Sequence, residues 1–211
     1  MRVKFCGITR LEDAEEAARL GAWAIGLVHH RKSPRSVKYS DAAVIGAAMK
    51  RKCEVVGVFV NPSLERVVDA AGNASLTMVQ LSGEEGPAFC TEVARRTGCP
   101  VIKAIHVSSA ADLHRAEPFR TAWHLFDSRR GGLRGGTGQV FDWELLANHH
   151  TGIPFILAGG LDPGNVGLAI ETARPDAVDV ASGVEVKPGI KDHALMPEFI
   201  EAAQGAPVVA E

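Results

Sequence analysis

Strand-length apolar runs alternate with amphipathic segments of helix length from one end of the 211-residue chain to the other. The runs are VKFC (3–6), AIGLV (24–28), VVGVFV (55–60), LTMVQL (76–81), VIKAIHV (101–107), AWHLFD (122–127), PFILAGG (154–160) and AVDVASG (177–183). A helical segment follows each, at 11–21, 40–51, 63–72, 86–98, 109–119, 141–150, 162–173 and 193–204. Near-continuous runs rich in Val and Ile are what a parallel sheet covered on both faces requires. The alternation predicts an α/β fold. Eight units predict a (β/α)8 TIM barrel, with residues 1–211 as a single catalytic domain. A doubly wound open sheet is the alternative. Two helix starts carry local signals: Thr9 and Glu12 have the spacing of a capping box, and Asp162 is placed as an N-cap with Pro163 at the first helical position.

Charge and composition narrow the function. A formal net charge of −2 is too nearly balanced to argue for nucleic acid or an acidic membrane surface as partner. The chain has no apolar run of spanning length and no apolar signal region at its start, so neither a membrane span nor export is expected. Cys6, Cys53, Cys90 and Cys99 show no CxxC and no zinc spacing, and read as reduced thiols of a cytoplasmic protein. The pairs His29–His30 and His149–His150 point apart on regular backbone, so no metal is expected. Met1 at the head of the first strand and the lack of a linker predict a free-standing protein, monomer or homodimer.

Barrels of this kind carry their chemistry at the carboxyl ends of the strands. The residues there are Cys6, the 29–36 loop, Asn61, Ser82, His106, Asp127, Gly159–Gly160 and Ser182–Gly183. Cys6 is either a small buried hydrophobe or a general base, whose pKa would be drawn from about 8.5 toward neutrality near the first helix. Asp127 ends an apolar strand; it is a salt-bridge or turn residue, or an acid facing Cys6 across the mouth. The loop 128–138, SRRGGLRGGTG, is long and glycine-rich without the ending of a P-loop or a dinucleotide fingerprint. Gly159–Gly160 and Ser182–Gly183 follow the seventh and eighth strands, where such barrels bind phosphate through backbone N–H groups. Arg35, in KSPRSV, is a carboxylate clamp or a solvated arginine. Asp179 meets a sugar hydroxyl or pairs inside the barrel.

These stretches resemble the phosphoribosylanthranilate isomerase family along essentially the whole chain. The matching motifs are VKFCGIT, KSPRSV, GVFVN, MVQLSG, LFDS…GGTGQVFDW, ILAGGLDPGNV and VDVASGVEVKPGIKD. The resemblance implies an aldose–ketose isomerase of tryptophan biosynthesis that needs no cofactor or metal. Its substrate is the phosphorylated aminosugar N-(5-phosphoribosyl)anthranilate, which undergoes an Amadori rearrangement. It implies Asp127 as general acid at the ribose ring oxygen and Cys6 as general base at C2′. It implies Arg35 on the anthranilate carboxylate, Gly159, Gly160, Ser182 and Gly183 on the phosphate, Asp179 on a hydroxyl, and Gly136 of the GGTG motif in substrate binding. The chain departs from the family pattern at Ser82, commonly His, and at Ala181, often Ser. A related isomerase of histidine biosynthesis would carry a carboxylate at position 6 and a longer chain. A sugar-phosphate sensor would need neither Cys6 nor Asp127, and half of a fused protein would show a second domain.

Overall fold

The computed structural model describes residues 1–127, 143–147 and 151–205. Eight parallel strands close into a barrel in sequential order: β1 (Arg2–Cys6), β2 (Ala24–Val28), β3 (Glu54–Phe59), β4 (Met78–Leu81), β5 (Val101–His106), β6 (Trp123–Asp127), β7 (Phe155–Ala158) and β8 (Ala177–Val180). β8 returns to β1 with Val3 opposite Val178 and Lys4 opposite Asp179. The predicted barrel is therefore formed, and the open sheet is not. Helices α1 (Leu11–Arg19), α2 (Tyr39–Met49), α3 (Leu64–Asn73), α4 (Pro87–Thr97), α5 (Ala110–Leu113), α6 (Glu144–Ala147), α7 (Val166–Ala173) and α8 (Leu195–Gly205) follow the strands. None of the described helices is long and apolar enough to cross a membrane.

Period-two alternation divides each strand between two cores. Outward residues such as Val3, Phe5, Ile25, Leu27, Val79 and Leu157 join the helices in one continuous apolar layer. Inward residues such as Ala24, Val56, Met78, Ile102, Leu125 and Ile156 fill the barrel. Its amino-terminal end is closed by Trp23 and Trp123, ring centroids 5.0 Å apart, with the Arg2 guanidinium 5.4 Å from the Trp123 ring. The interior is thus plugged at one end, and polar groups gather at the other.

Two predicted helix starts are corrected. The Thr9 hydroxyl does not cap α1; it donates to Gly189 O at 2.5 Å, and Arg10 takes the N-cap position with its guanidinium on Asp13. A partner 180 residues away outcompetes the local capping box. Helix α7 starts at Val166 rather than Pro163, because Asp162 is used earlier: its carboxylate accepts from Gly164 N at 2.8 Å, and its N–H donates to Asn165 Oδ1 at 2.9 Å. One element was not anticipated. After β8 the chain makes a short antiparallel hairpin, β9 (Glu185–Lys187) and β10 (Ile190–Lys191), before α8.

Helix α2 approaches the end of α3 closely at Gly46, where an added Cβ would overlap the Ala74 carbonyl oxygen. Because the obstacle is backbone, relief requires the two helices to separate. Gly46→Ala should lower stability by about 2 to 3 kcal/mol, at the upper end of overpacking costs, read as a lower denaturant midpoint at unchanged m.

Candidate active site

The carboxyl ends of the strands surround a cavity of about 230 Å³. Cys6, Asp127 and Asp179 line it, with Arg35, Gly159–Gly160 and Ser182 at its margins. Ser82, His106 and Ala181 also face it, whereas Asn61 does not. The Asn61 N–H donates to Glu85 at 2.7 Å and its side chain accepts from Glu84 N, tying the loop after β3 to the loop after β4. Gly136 lies outside the described residues.

Cys6 and Asp127 end β1 and β6, three strands apart around the ring. Both point inward by strand alternation, so they face each other across the cavity rather than touching along one edge. Cys6 is only 9% exposed. Burial pushes its thiol up from the ordinary range, against the pull of the Lys4 and Lys191 ammoniums, while Asp179 pushes it further up. The expectation of a thiol lowered toward neutrality is therefore corrected: desolvation exceeds the help of the nearby cations.

Arg35 does not stand free at the mouth. Its Nε and Nη2 form a fork on Glu185, with contacts of 2.6 to 3.0 Å. The Nη1 group has no partner among the described residues. Glu185 also accepts from Lys191 Nζ at 3.1 Å, and Lys191 Nζ donates to the carbonyls of Cys6 at 2.6 Å and Ala181 at 2.9 Å. Burial pushes the Glu185 carboxyl up, but Arg35 and Lys191 together hold it below the usual range. The hairpin β9–β10 thus fastens the ends of β1 and β8 and holds the Arg35 side chain. Sequence reading missed Glu185 and Lys191; the signal available was the run of four charged residues (Glu185, Lys187, Lys191 and Asp192) inside SGVEVKPGIKD.

Asp179 pairs with Lys4, which is wholly buried in the barrel, at 2.7 Å. The pairing alternative is thus realised, on a residue that still lines the cavity. Gly159 and Gly160 adopt φ of 100° and 68°, which only glycine takes without strain, so the chain turns tightly out of β7. Asn165 donates to Gly160 O at 3.0 Å and holds that turn. Gly183 stands just behind the lining, where an added Cβ would overlap Leu161 O. Its lack of a side chain is what lets the loops after β7 and β8 touch.

The sequence pattern of the N-(5′phosphoribosyl)anthranilate (PRA) isomerase family matches residues 3–202. The chain belongs to this family. A relative named N-(5′-phosphoribosyl)anthranilate isomerase, from Geobacter sulfurreducens, is 46% identical over 205 residues, 97% of this chain and 99% of its own. The crystal structure of phosphoribosyl anthranilate isomerase from Thermotoga maritima superposes with a TM-score of 0.88 at 42% identity, covering 97% of this chain and 99% of that one. A second PRA isomerase structure is a complex with reduced 1-(o-carboxyphenylamino)-1-deoxyribulose 5-phosphate. It has a TM-score of 0.85 at 41% identity and the same coverage.

The Glu185–Lys191 pair is buried on both sides, with side chains 3% and 0% exposed. Lys191→Met would leave Glu185 short of one cation and two carbonyls without their donor. The expected cost is about 3 to 5 kcal/mol, read by chemical unfolding, and a loss below about 1 kcal/mol would show the pair to be incidental.

Proposed function

We propose that the chain is a PRA isomerase of tryptophan biosynthesis, converting N-(5-phosphoribosyl)anthranilate to 1-(2-carboxyphenylamino)-1-deoxyribulose 5-phosphate. The observation that carries this reading is a thiol and a carboxylate at the ends of β1 and β6, facing one cavity, in a member of the family.

The substrate has an anion at each end and reacting atoms between them. Arg35 takes the anthranilate carboxylate through its Nη1 side while Glu185 holds the opposite edge of the guanidinium. The backbone of Gly159–Gly160 and Ser182–Gly183 receives the phosphate. Asp179 accepts from a ribose hydroxyl while keeping Lys4. Held in this way, the ribose spans the gap between Cys6 and Asp127. Fixing both ends of the substrate places the reacting carbons without further cost in freedom at the chemical step.

Asp127, protonated, delivers its proton to the ribose ring oxygen. The C1′–O bond breaks, and the anilino nitrogen's lone pair forms the C1′=N Schiff base. Cys6, as thiolate, removes the proton from C2′, and the electrons move to give the enolamine. The cycle closes when C1′ takes up one proton and the C2′ hydroxyl gives one up, leaving a C2′ ketone. Atoms and charges balance without any external oxidant or reductant. The protein acts in the cytoplasm, as a monomer or homodimer.

Because burial raises the Cys6 thiol, the alkaline limb of the kcat/KM profile against pH lies above the ordinary thiol range of about 8.5. A fall in kcat/KM already complete by about pH 8 would contradict the assignment.

Cys6→Ala and Asp127→Asn should each lower turnover by about 10²- to 10⁴-fold with the fold intact. Substrate is generated in situ, and its disappearance is followed by fluorescence. Near-wild-type turnover in either variant would remove that residue from its role. Inactivity of the wild-type protein, properly folded, would overturn the function itself.

A further inference from the structure

The mechanism needs Cys6 as a thiolate, yet the sulfur lies in a buried place that disfavours the charge. Lys4, two residues earlier on β1, points to the same interior and is 0% exposed. Its partner Asp179 cannot be its whole purpose, since an apolar pair would fill the barrel at lower desolvation cost. The position of Gly26 on β2 shows how close the two groups are. A Cβ built there would lie 2.8 Å from Cys6 Sγ and 3.3 Å from Lys4 Nζ. Sulfur and ammonium therefore both border the space that the missing side chain leaves.

We propose that Lys4 is a positioning residue for Cys6: its buried ammonium, anchored on one side by Asp179, holds the sulfur and stabilises it as the thiolate that abstracts the C2′ proton. The catalytic consequence rests on the reading of Cys6 as general base; the effect on the thiol does not. Other charges face the sulfur from elsewhere. Lys191 on β10 is bound to the Cys6 carbonyl and shared with Glu185, Asp179 is on β8, and Asp127 and Arg35 line the same cavity. Lys191 is already committed to two carbonyls and a carboxylate. Among the described residues Lys4 has a single carboxylate partner, so it is the cation with hydrogen-bonding capacity to spare. In direction, burial lowers the Lys4 ammonium while Asp179 and Cys6 raise it, with the balance upward, so it stays charged while the thiol ionises.

The test measures the thiol without substrate. Full-length protein is alkylated with iodoacetamide across a pH series, and the rate at Cys6 is read by peptide mass spectrometry. Lys4→Met should move the midpoint of Cys6 reactivity up by at least about one pH unit, a tenfold loss of thiolate at a given pH below it. Lys4→Arg should recover part of the shift. In turnover, Lys4→Met should lower kcat/KM about tenfold at neutral pH and move the alkaline limb upward by the same interval. An unchanged alkylation midpoint overturns the proposal. Should Lys4→Met leave Asp179 unpaired and the protein unfolded, Asp179→Asn is compared with Lys4→Met/Asp179→Asn, which has no orphaned charge. The midpoint must again rise when Lys4 is lost, and equality overturns the proposal. A shifted midpoint with an unshifted kcat/KM profile would uphold the role of Lys4 while showing that Cys6 is not the base.

Discussion

The site depends on the seam between β1 and β8. There the barrel closes, and Lys4 lies opposite Asp179 in register, so a buried ion pair forms at the point of closure. Just above it, Lys191 reaches from the hairpin β9–β10 to the carbonyls of both strand ends, Cys6 on one and Ala181 just past the other. Asp13, buried on α1, receives the Lys191 N–H at 3.2 Å and His193 Nε2 at 2.9 Å, which fixes the far side of the hairpin. These links tie the hairpin to the ends of both strands, in addition to the backbone pairing that sets the register of β8 against β1. With them, the thiol of Cys6 is held to a fixed place at the mouth.

The same seam sets the electrostatics. Two groups of charges surround the thiol, Lys4 with Asp179 and Lys191 with Glu185 and Arg35. A buried charge left alone would be costly, but paired charges can admit a thiolate by redistributing partners already present. A site built to deprotonate carbon needs this balance, since the base must stay within reach of ionisation while remaining dry. Glu185 plays the parallel part for Arg35, orienting the guanidinium without neutralising the edge that faces the cavity.

The barrel was legible in the sequence because burial on both faces turns each strand into an apolar run, and because each run is followed by a helical segment. Cys6 and Asp127 were legible for a related reason: a polar residue at the last position of an apolar strand stands out. What local reading missed depends on partners distant in sequence. Thr9 has the right neighbour for a capping box, but Gly189 takes its hydroxyl. Asp162 precedes a proline, but its carboxylate is spent on Gly164 and the helix waits until Val166. Lys4 was hidden inside an apolar motif, and the pairing of Arg35 with Glu185 spans 150 residues, beyond the reach of any spacing rule. The Cys6 thiol lies higher than a strand end near a helix suggests, because the closed barrel buries it.

In the proposed mechanism Cys6 removes the C2′ hydrogen as a proton. The most direct test is turnover of substrate deuterated at C2′, with product analysed for the position of the label. A primary isotope effect on the chemical step and loss of deuterium from C2′ to solvent-exchangeable positions are expected, with the Cys6→Ala variant slower at that step. Deuterium carried intact and quantitatively from C2′ to C1′, with no exchange at any pH, would mean a direct hydrogen shift and would contradict it.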